Sequence, residues 1–299
     1  MFWVLLLKYL ATQRKKMDFT LRIYRRLLSC LLHRGYQFIT FEQYLTLKTS
    51  ASTASDLQAE GRSTASAIFR PKADLPDKYI ILRHDVDLKA ANSLATARIE
   101  HELGIRASYY FRVVPQSNQP DIIRAIAELG HEIGYHYEDM SIMQGDVDKA
   151  HAHFVEQLAY FRQFYPVQTI CMHGAPTSKW DGKDLWKHYN YRDLGIIGEP
   201  YFDIDFSQMF YLTDTGRCWD GYKVSVRDKI PVYQDEWNAQ GLVYHSTQDI
   251  IRAAKQDKLP QRIMITTHPQ RWTSKWFAWF KELLLQSLKN IIKRLIFVK

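Results

Sequence analysis

Asp85 and Asp87 stand two residues apart at the close of an apolar run, Tyr79 to Leu82. Side chains two apart in a strand share a face, so both carboxylates project together at the strand's C-terminal end. That end is where α/β proteins assemble their sites. Three histidines close later apolar segments in the same way: His136 in HEIGYHYED, His173 in TICMHGAP and His268 in RIMITTHP. Imidazole nitrogens together with a carboxylate suit a divalent metal and leave positions for water and a substrate. His268 would add a group able to exchange protons in the same layer. The competing reading makes one aspartate a helix cap, the other a solvated loop acid, and each histidine a satisfied polar residue. The coincidence of strand ends tells against it, because two acids beside His84 are costly near a core without a cation or a catalytic duty.

These residues need a scaffold, and the chain alternates accordingly. KYIILRHDVD is strand-like, DLKAANSLATARIEHELG helical, RASYYFRVV strand-like, and QPDIIRAIAELG helical with Gly130 as its stop. HEIGYHY, VQTICMHG and DLGIIG read as further strands, DVDKAHAHFVEQLAYFRQFY as a helix, and the rhythm resumes with STQDIIRAAKQDKLP and RIMITTHP. This succession predicts an α/β fold of βα units on a largely parallel sheet, over residues 77–299. Residues 1–46 read as an N-terminal extension with a helix packing on that domain, and residues 47–76, rich in Ser, Thr and Ala, as a flexible insertion. From about 201 to 245 the pattern suggests a hairpin and long loops.

Composition bounds the rest. Of 299 residues, 46% are hydrophobic, ample for a packed core. Forty basic and 32 acidic side chains give 40 − 32 = +8, too dispersed for a nucleic-acid arm, so no nucleic-acid partner is expected. Cys30, Cys171 and Cys218 form no CxxC pair and no disulfide framework, which fits a reducing compartment. The run MFWVLLL before Lys8 is far short of a bilayer span, and its charges follow rather than precede the apolar stretch. A cytoplasmic location is expected, with Met17 as the natural start and residues 1–16 as upstream translation or a weak interfacial anchor.

The motifs resemble those of the polysaccharide deacetylase family, the carbohydrate esterases that share the NodB homology domain. HDVD looks like the family's aspartate pair, GHEIGYH from Gly130 to His136 matches its second motif, and IMITTH resembles its late histidine motif. The similarity spans about residues 79 to 270. It implies a distorted β/α barrel, seven-stranded, with Asp85 as catalytic base, Asp87 and His136 as metal ligands, His131 outside the ligand set, and His268 as catalytic acid. Where the family places a second histidine, four residues after the first, this chain has Met140, a poor ligand; Glu138 and Asp139 fit by composition, and His173 is chosen as third ligand because it ends the next strand. The implied activity is metal-dependent hydrolysis of N-acetyl groups on a glycan or glycan precursor in surface-polysaccharide metabolism. Zinc suits the ligands best, and iron, cobalt, nickel or manganese are also accepted by such a set.

The aromatic and polar stretch offers Asp203, Asp205, Asp214, Arg217 and Trp219 to line a sugar groove, and Glu199 in IIGEP ends another strand that reaches toward it. The basic amphipathic segment WTSKWFAWFKELLLQSLKNIIKRLIFVK reads first as a helix covering the barrel and second as a peripheral membrane contact. Two other functions compete: a glycan-binding or scaffolding protein that keeps the fold without chemistry, favoured by Met140, and an iron oxygenase, disfavoured because that chemistry usually sits in an all-β barrel.

Overall fold

The computed structural model describes residues 18–59, 75–175, 178–219 and 230–296, with the side chains of 51–59 and 292–296 left aside. The chain opens with helix α1 (Leu21–His33), started by Thr20, whose hydroxyl accepts the Ile23 amide. Strand β1 (Gln37–Ile39) and helix α2 (Phe41–Ala59) follow, then β2 (Tyr79–Val86), α3 (Ala90–Glu102), β3 (Ser108–Phe111), α4 (Pro120–Glu128) and β4 (Glu132–Tyr137). Next come α5 (Asp139–Ile142), α6 (Val147–Phe161), β5 (Ile170–Met172), α7 (Pro200–Asp203) and β6 (Phe210–Thr213). Helices α8 (Pro231–Ala239) and α9 (Thr247–Lys255), strand β7 (Arg262–Thr267) and helix α10 (Trp276–Ile296) complete the described chain.

Among the described residues all strand pairings are parallel, in one seven-stranded sheet of order β5-β4-β3-β2-β7-β6 with β1 added beside β2. β1 runs beside Tyr79–Ile81 and β3 beside Arg83–Val86 of the central strand. The sheet curls into an open barrel, the distorted α/β barrel expected. Every residue of β2 is buried, as a strand covered on both faces must be. Its register sets His84 against Thr267 and Val86 against Phe111, while Tyr137 lies against Met172, so the C-terminal ends of β2, β4, β5 and β7 come level. Alternation along β2 sends Arg83, Asp85 and Asp87 one way and His84 the other. There His84 meets Glu100 at 2.9 Å and Thr267 at 2.7 Å, in a fully buried cluster with Tyr24 and Tyr109.

The GHEIG stretch has structural reasons of its own. Gly130, at φ 87°, ends α4 in a conformation that glycine adopts freely. A Cβ on Gly134 would fall 2.3 Å from the Tyr110 ring and 2.9 Å from the Thr169 carbonyl. His131 is fully buried between the Ala107 amide and the Ala97 carbonyl, which leaves it no ligating role.

Three expectations need correction. Residues 47–59 continue α2 rather than entering a flexible insertion: Leu, Ala and Gln are good helix formers that extend a helix already begun; residues 60–74 lie outside the described part. Phe210–Thr213 is a parallel strand on β7, so no hairpin forms among the described residues there. DLGIIG gives a 3-10 turn and a single bridge, Gly198 with Thr169, in place of a strand. The expected start at Met17 also lies outside the described residues. α1 is part of the barrel wall, with its Cys30 thiol on the Ile251 carbonyl of α9 and Arg34 paired with Asp257.

Candidate active site

The turn after β2 places Asp87 just before Lys89, which takes a left-handed φ of 55° to start α3. Such conformations persist in non-glycine residues only where surroundings enforce them. Asp87 Oδ1 lies 3.5 Å from His136 Nε2 and 3.5 Å from His173 Nε2. That oxygen is buried and has no hydrogen-bond partner among the described residues. Its partner Oδ2 accepts the Gln270 side-chain amide at 2.9 Å. Burial alone would raise the Asp87 pKa, but His136, His173 and His268 around it hold it well below the usual range.

Both histidines are oriented from behind. His136 Nδ1 donates to the Cys171 carbonyl at 2.9 Å, which turns Nε2 toward Asp87. His173 Nδ1 sits 2.9 Å from Glu138, which Arg112 also binds. Against burial, His173 and Arg112 hold the Glu138 pKa down to about 2. This is the outer arrangement that metal-binding imidazoles use to fix tautomer and direction. Ligand atoms of Asp87, His136 and His173 all lie within 4.8 Å of one another. A tetrahedral ion with bonds near 2.1 Å spaces its ligand atoms about 3.4 Å apart, so the set fits a zinc-sized cation. A second combination, Asp85, His136 and Cys171, is equally compact, but there both Asp85 oxygens are occupied by Arg83.

Asp85 is buried and grips Arg83 through two parallel bonds of 2.8 and 2.7 Å. Burial pushes its pKa up and the Arg83 guanidinium outweighs this, so it stays ionised. Its Oδ2 is 3.8 Å from His136 Nε2, on the flank of the candidate metal position. Arg83 went unnoticed in the sequence, although a residue two positions before Asp85 in a strand must share its face. Replacing Arg83 with Met is expected to cost about 3–5 kcal/mol in chemical denaturation, because a lone carboxylate is left buried. An added Asp85→Asn change should recover most of that loss; a cost below about 1 kcal/mol would show that the pair contributes little.

On the opposite flank His268 Nε2 lies 3.9 Å from Asp87 Oδ2, and its Nδ1 lies 2.7 Å from Asp214 Oδ1. Burial and Arg271 push the His268 pKa down, yet Asp214 and Asp87 pull it further up, for a net rise. The fully buried Asp214 also accepts the His268 amide and the Trp272 indole, and Arg271 binds its backbone carbonyl. Asp214 therefore orients His268, and its expected place in a sugar groove is corrected. With Asp214→Asn the His268 pKa should fall, so its imidazolium form is lost at lower pH. The alkaline limb of kcat should move down the pH scale and kcat should drop about 100-fold or more; an unshifted limb would remove His268 from the donor role.

Three of the other candidates for sugar contact are also interior. Arg217, at φ 59°, stacks over Trp279 at 4.6 Å, and Trp219 donates its indole N–H to Thr247 at 2.9 Å. The Glu199 carboxylate is buried, one oxygen accepting the Met172 amide and the other the Tyr201 amide that starts α7. Their aromatic or charged character reflects packing and capping between β5, β6 and α10. Asp203 binds Arg192 and Tyr191, and Asp205 folds onto Ser207. Burial raises Glu199 to about 7, from 4.5. The folded chain therefore holds a proton that the unfolded chain releases between those values. Stability from this group is complete below pH 4.5 and lost as pH rises through about 7. Glu199→Gln should remove that fall, roughly 3 kcal/mol in the difference between the two proteins' unfolding free energies; parallel curves would refute it.

Asp139 faces Tyr135 and His153, away from the histidine cluster, and Met140 is packed in the core. No family model and no curated protein matches the chain. Among solved structures it is similar to a CE4 family pseudoenzyme from Bacillus anthracis, 12% identical over 72% of this chain and 61% of that one, with a TM-score of 0.38. It is similar to a family 4 carbohydrate esterase from Streptomyces lividans in complex with acetate, at 15% identity, coverage of 71% and 90%, and a TM-score of 0.34. The peptidoglycan deacetylase PdaC from Bacillus subtilis, in a mutant form, gives 12%, 74% and 100%, and 0.33. The chain spans less than two thirds of the pseudoenzyme's length. Likeness at this level carries no weight for the chemistry, which rests on the side chains themselves.

Proposed function

We propose that this protein is a metal-dependent hydrolase that removes N-acetyl groups from a glycan or glycan precursor in surface-polysaccharide metabolism. The observation that carries the reading is the buried Asp87 Oδ1, without a hydrogen-bond partner among the described residues and faced at 3.5 Å by Nε2 of both His136 and His173. Two imidazoles turned toward one carboxylate oxygen at that spacing make a ligand set that a divalent cation completes. Asp87, His136 and His173 would hold the ion, zinc by its fit to their spacing. When bound, such an ion acidifies water and polarises an amide carbonyl.

The chain's own residues supply the proton transfers. Asp85, kept ionised by Arg83, takes the proton of an attacking water at the candidate metal position's flank. His268, kept protonated by Asp214, gives a proton to the departing sugar amine from the other flank. The products are acetate and a free amino sugar. Gln270 occupies Asp87 Oδ2, so that Oδ1 alone faces the two imidazoles.

Metal analysis of the purified protein, with acetate release from N-acetylated oligosaccharides and an Asp85→Asn control, tests the proposal. Bound metal with Asp85-dependent acetate release supports it. Glycan binding without acetate release would favour the non-catalytic alternative, for which the packed Met140 is the feature to cite.

A further inference from the structure

Helix α10 is held to the barrel along one face only. Trp279 donates its indole N–H to the Asp18 carbonyl at 2.6 Å, Leu283 and Ser287 are buried, and Asn290 donates to the Gly216 carbonyl at 2.7 Å. The outward face bears large apolar side chains in the open, Phe277 at 75% exposure, Leu285 at 46% and Leu288 at 48%, and Trp276, at 58%, lies open at the start of the helix. Exposed lysines interleave with them, Lys275 before the helix and Lys281 and Lys289 within it. The helix has one acid, Glu282, and it is already paired with Lys89.

Apolar residues on the outside of a helix normally find cover, and aromatic, leucine and lysine side chains mixed on one face are what an interfacial helix requires. A second copy of the same face would bring lysines against lysines, whereas an anionic lipid surface offers hydrocarbon for the rings and leucines and negative headgroups for the ammonium groups. Among the described residues no helix is long and apolar enough to cross a membrane, so contact would be along the surface.

The same helix is tied to the turn that carries Asp87. Lys89, which pairs with Glu282, is two residues beyond Asp87, and the intervening Leu88 is itself 38% exposed. Lys89 also reaches the carbonyl of Gln270, the residue that holds Asp87 Oδ2. A surface met by Phe277, Leu285 and Leu288 would therefore lie on the side of the fold to which that turn is tied.

We propose that the outer face of α10 docks the protein on an anionic lipid surface, with Trp276, Phe277, Leu285 and Leu288 entering the headgroup boundary and Lys281 and Lys289 binding its charge. Taken with the hydrolase reading above, on which this clause alone rests, docking would present the site to acetylated sugars carried at a membrane.

Co-sedimentation of the full chain with vesicles of phosphatidylcholine alone, and with about a third of phosphatidylglycerol, tests docking without recourse to activity. Binding should be at least about tenfold stronger to the anionic vesicles and should weaken in about 1 M salt. Phe277→Ser with Leu288→Ser, both exposed and outside the packed face, should keep the unfolding temperature and lose roughly tenfold or more in partition. Lys281→Glu with Lys289→Glu should abolish the preference for anionic lipid. Equal binding to both vesicle types, no binding, or binding unchanged in the substituted proteins would overturn the proposal. So would a dimer in size-exclusion chromatography that Phe277→Ser dissolves, since a second copy would then cover the face. Acetate release from a soluble oligosaccharide should be the same in the Phe277→Ser, Leu288→Ser protein; if no form releases acetate while sedimentation behaves as expected, the hydrolase reading fails and docking stands.

Discussion

An Asp87→Asn protein is expected to retain less than about a tenth of the divalent metal bound by the unsubstituted chain, and to gain almost no stability from zinc. The two halves have one cause. Asp87 Oδ1 is the anionic oxygen that the two imidazoles face, while Oδ2 accepts the Gln270 amide. The neutral amide of the variant is a poor ligand for a divalent cation. At about a thousandfold excess over Kd, metal should stabilise the unsubstituted chain by about 4 kcal/mol and leave the variant almost unchanged. Thermal unfolding with and without zinc, alongside metal analysis, measures both halves. Equal stabilisation of the two proteins by zinc would place the ion elsewhere.

The second large effect separates catalysis from binding. Asp85→Asn should keep the metal content, since Asp85 gives both oxygens to Arg83 and stands 3.8 Å from His136 Nε2. Acetate release should fall by about 100- to 10,000-fold, the range that loss of a general base gives. The variant also unpairs half of a buried ion pair, so its unfolding temperature should drop and rates must be compared below it. Metal loss on a par with that of Asp87→Asn would instead make Asp85 a ligand and move the ion toward Cys171. Acetate release within about threefold of the original would leave the base unassigned.

Much of the scaffold was legible because local chemistry and burial coincide. Fully apolar runs ending in Asp, His or Thr mark parallel strands covered on both faces, and the helices between them carry their own stops, such as Gly130 at positive φ. The insertion and the hairpin misread the same kind of segment. Ser-, Thr- and Gly-containing composition does not by itself exclude structure: Phe41–Ala59 is extended by helix-forming residues and Phe210–Thr213 is recruited as a strand by pairing with β7.

At the site, the amino-acid sequence by itself determined which side chains could meet: alternation along β2 puts Arg83, Asp85 and Asp87 on one face, and His136, His173 and His268 each close a segment feeding the same end. Only the tertiary structure decided what each one does. Asp214 is far from His268 in sequence yet 2.7 Å from its imidazole, and Glu199, Arg217 and Trp219 turned inward to cap and pack rather than outward to sugar. The physical reason is that a charge near a core is defined by its partner, and partners brought together by sheet register and helix packing leave no periodic trace along the chain.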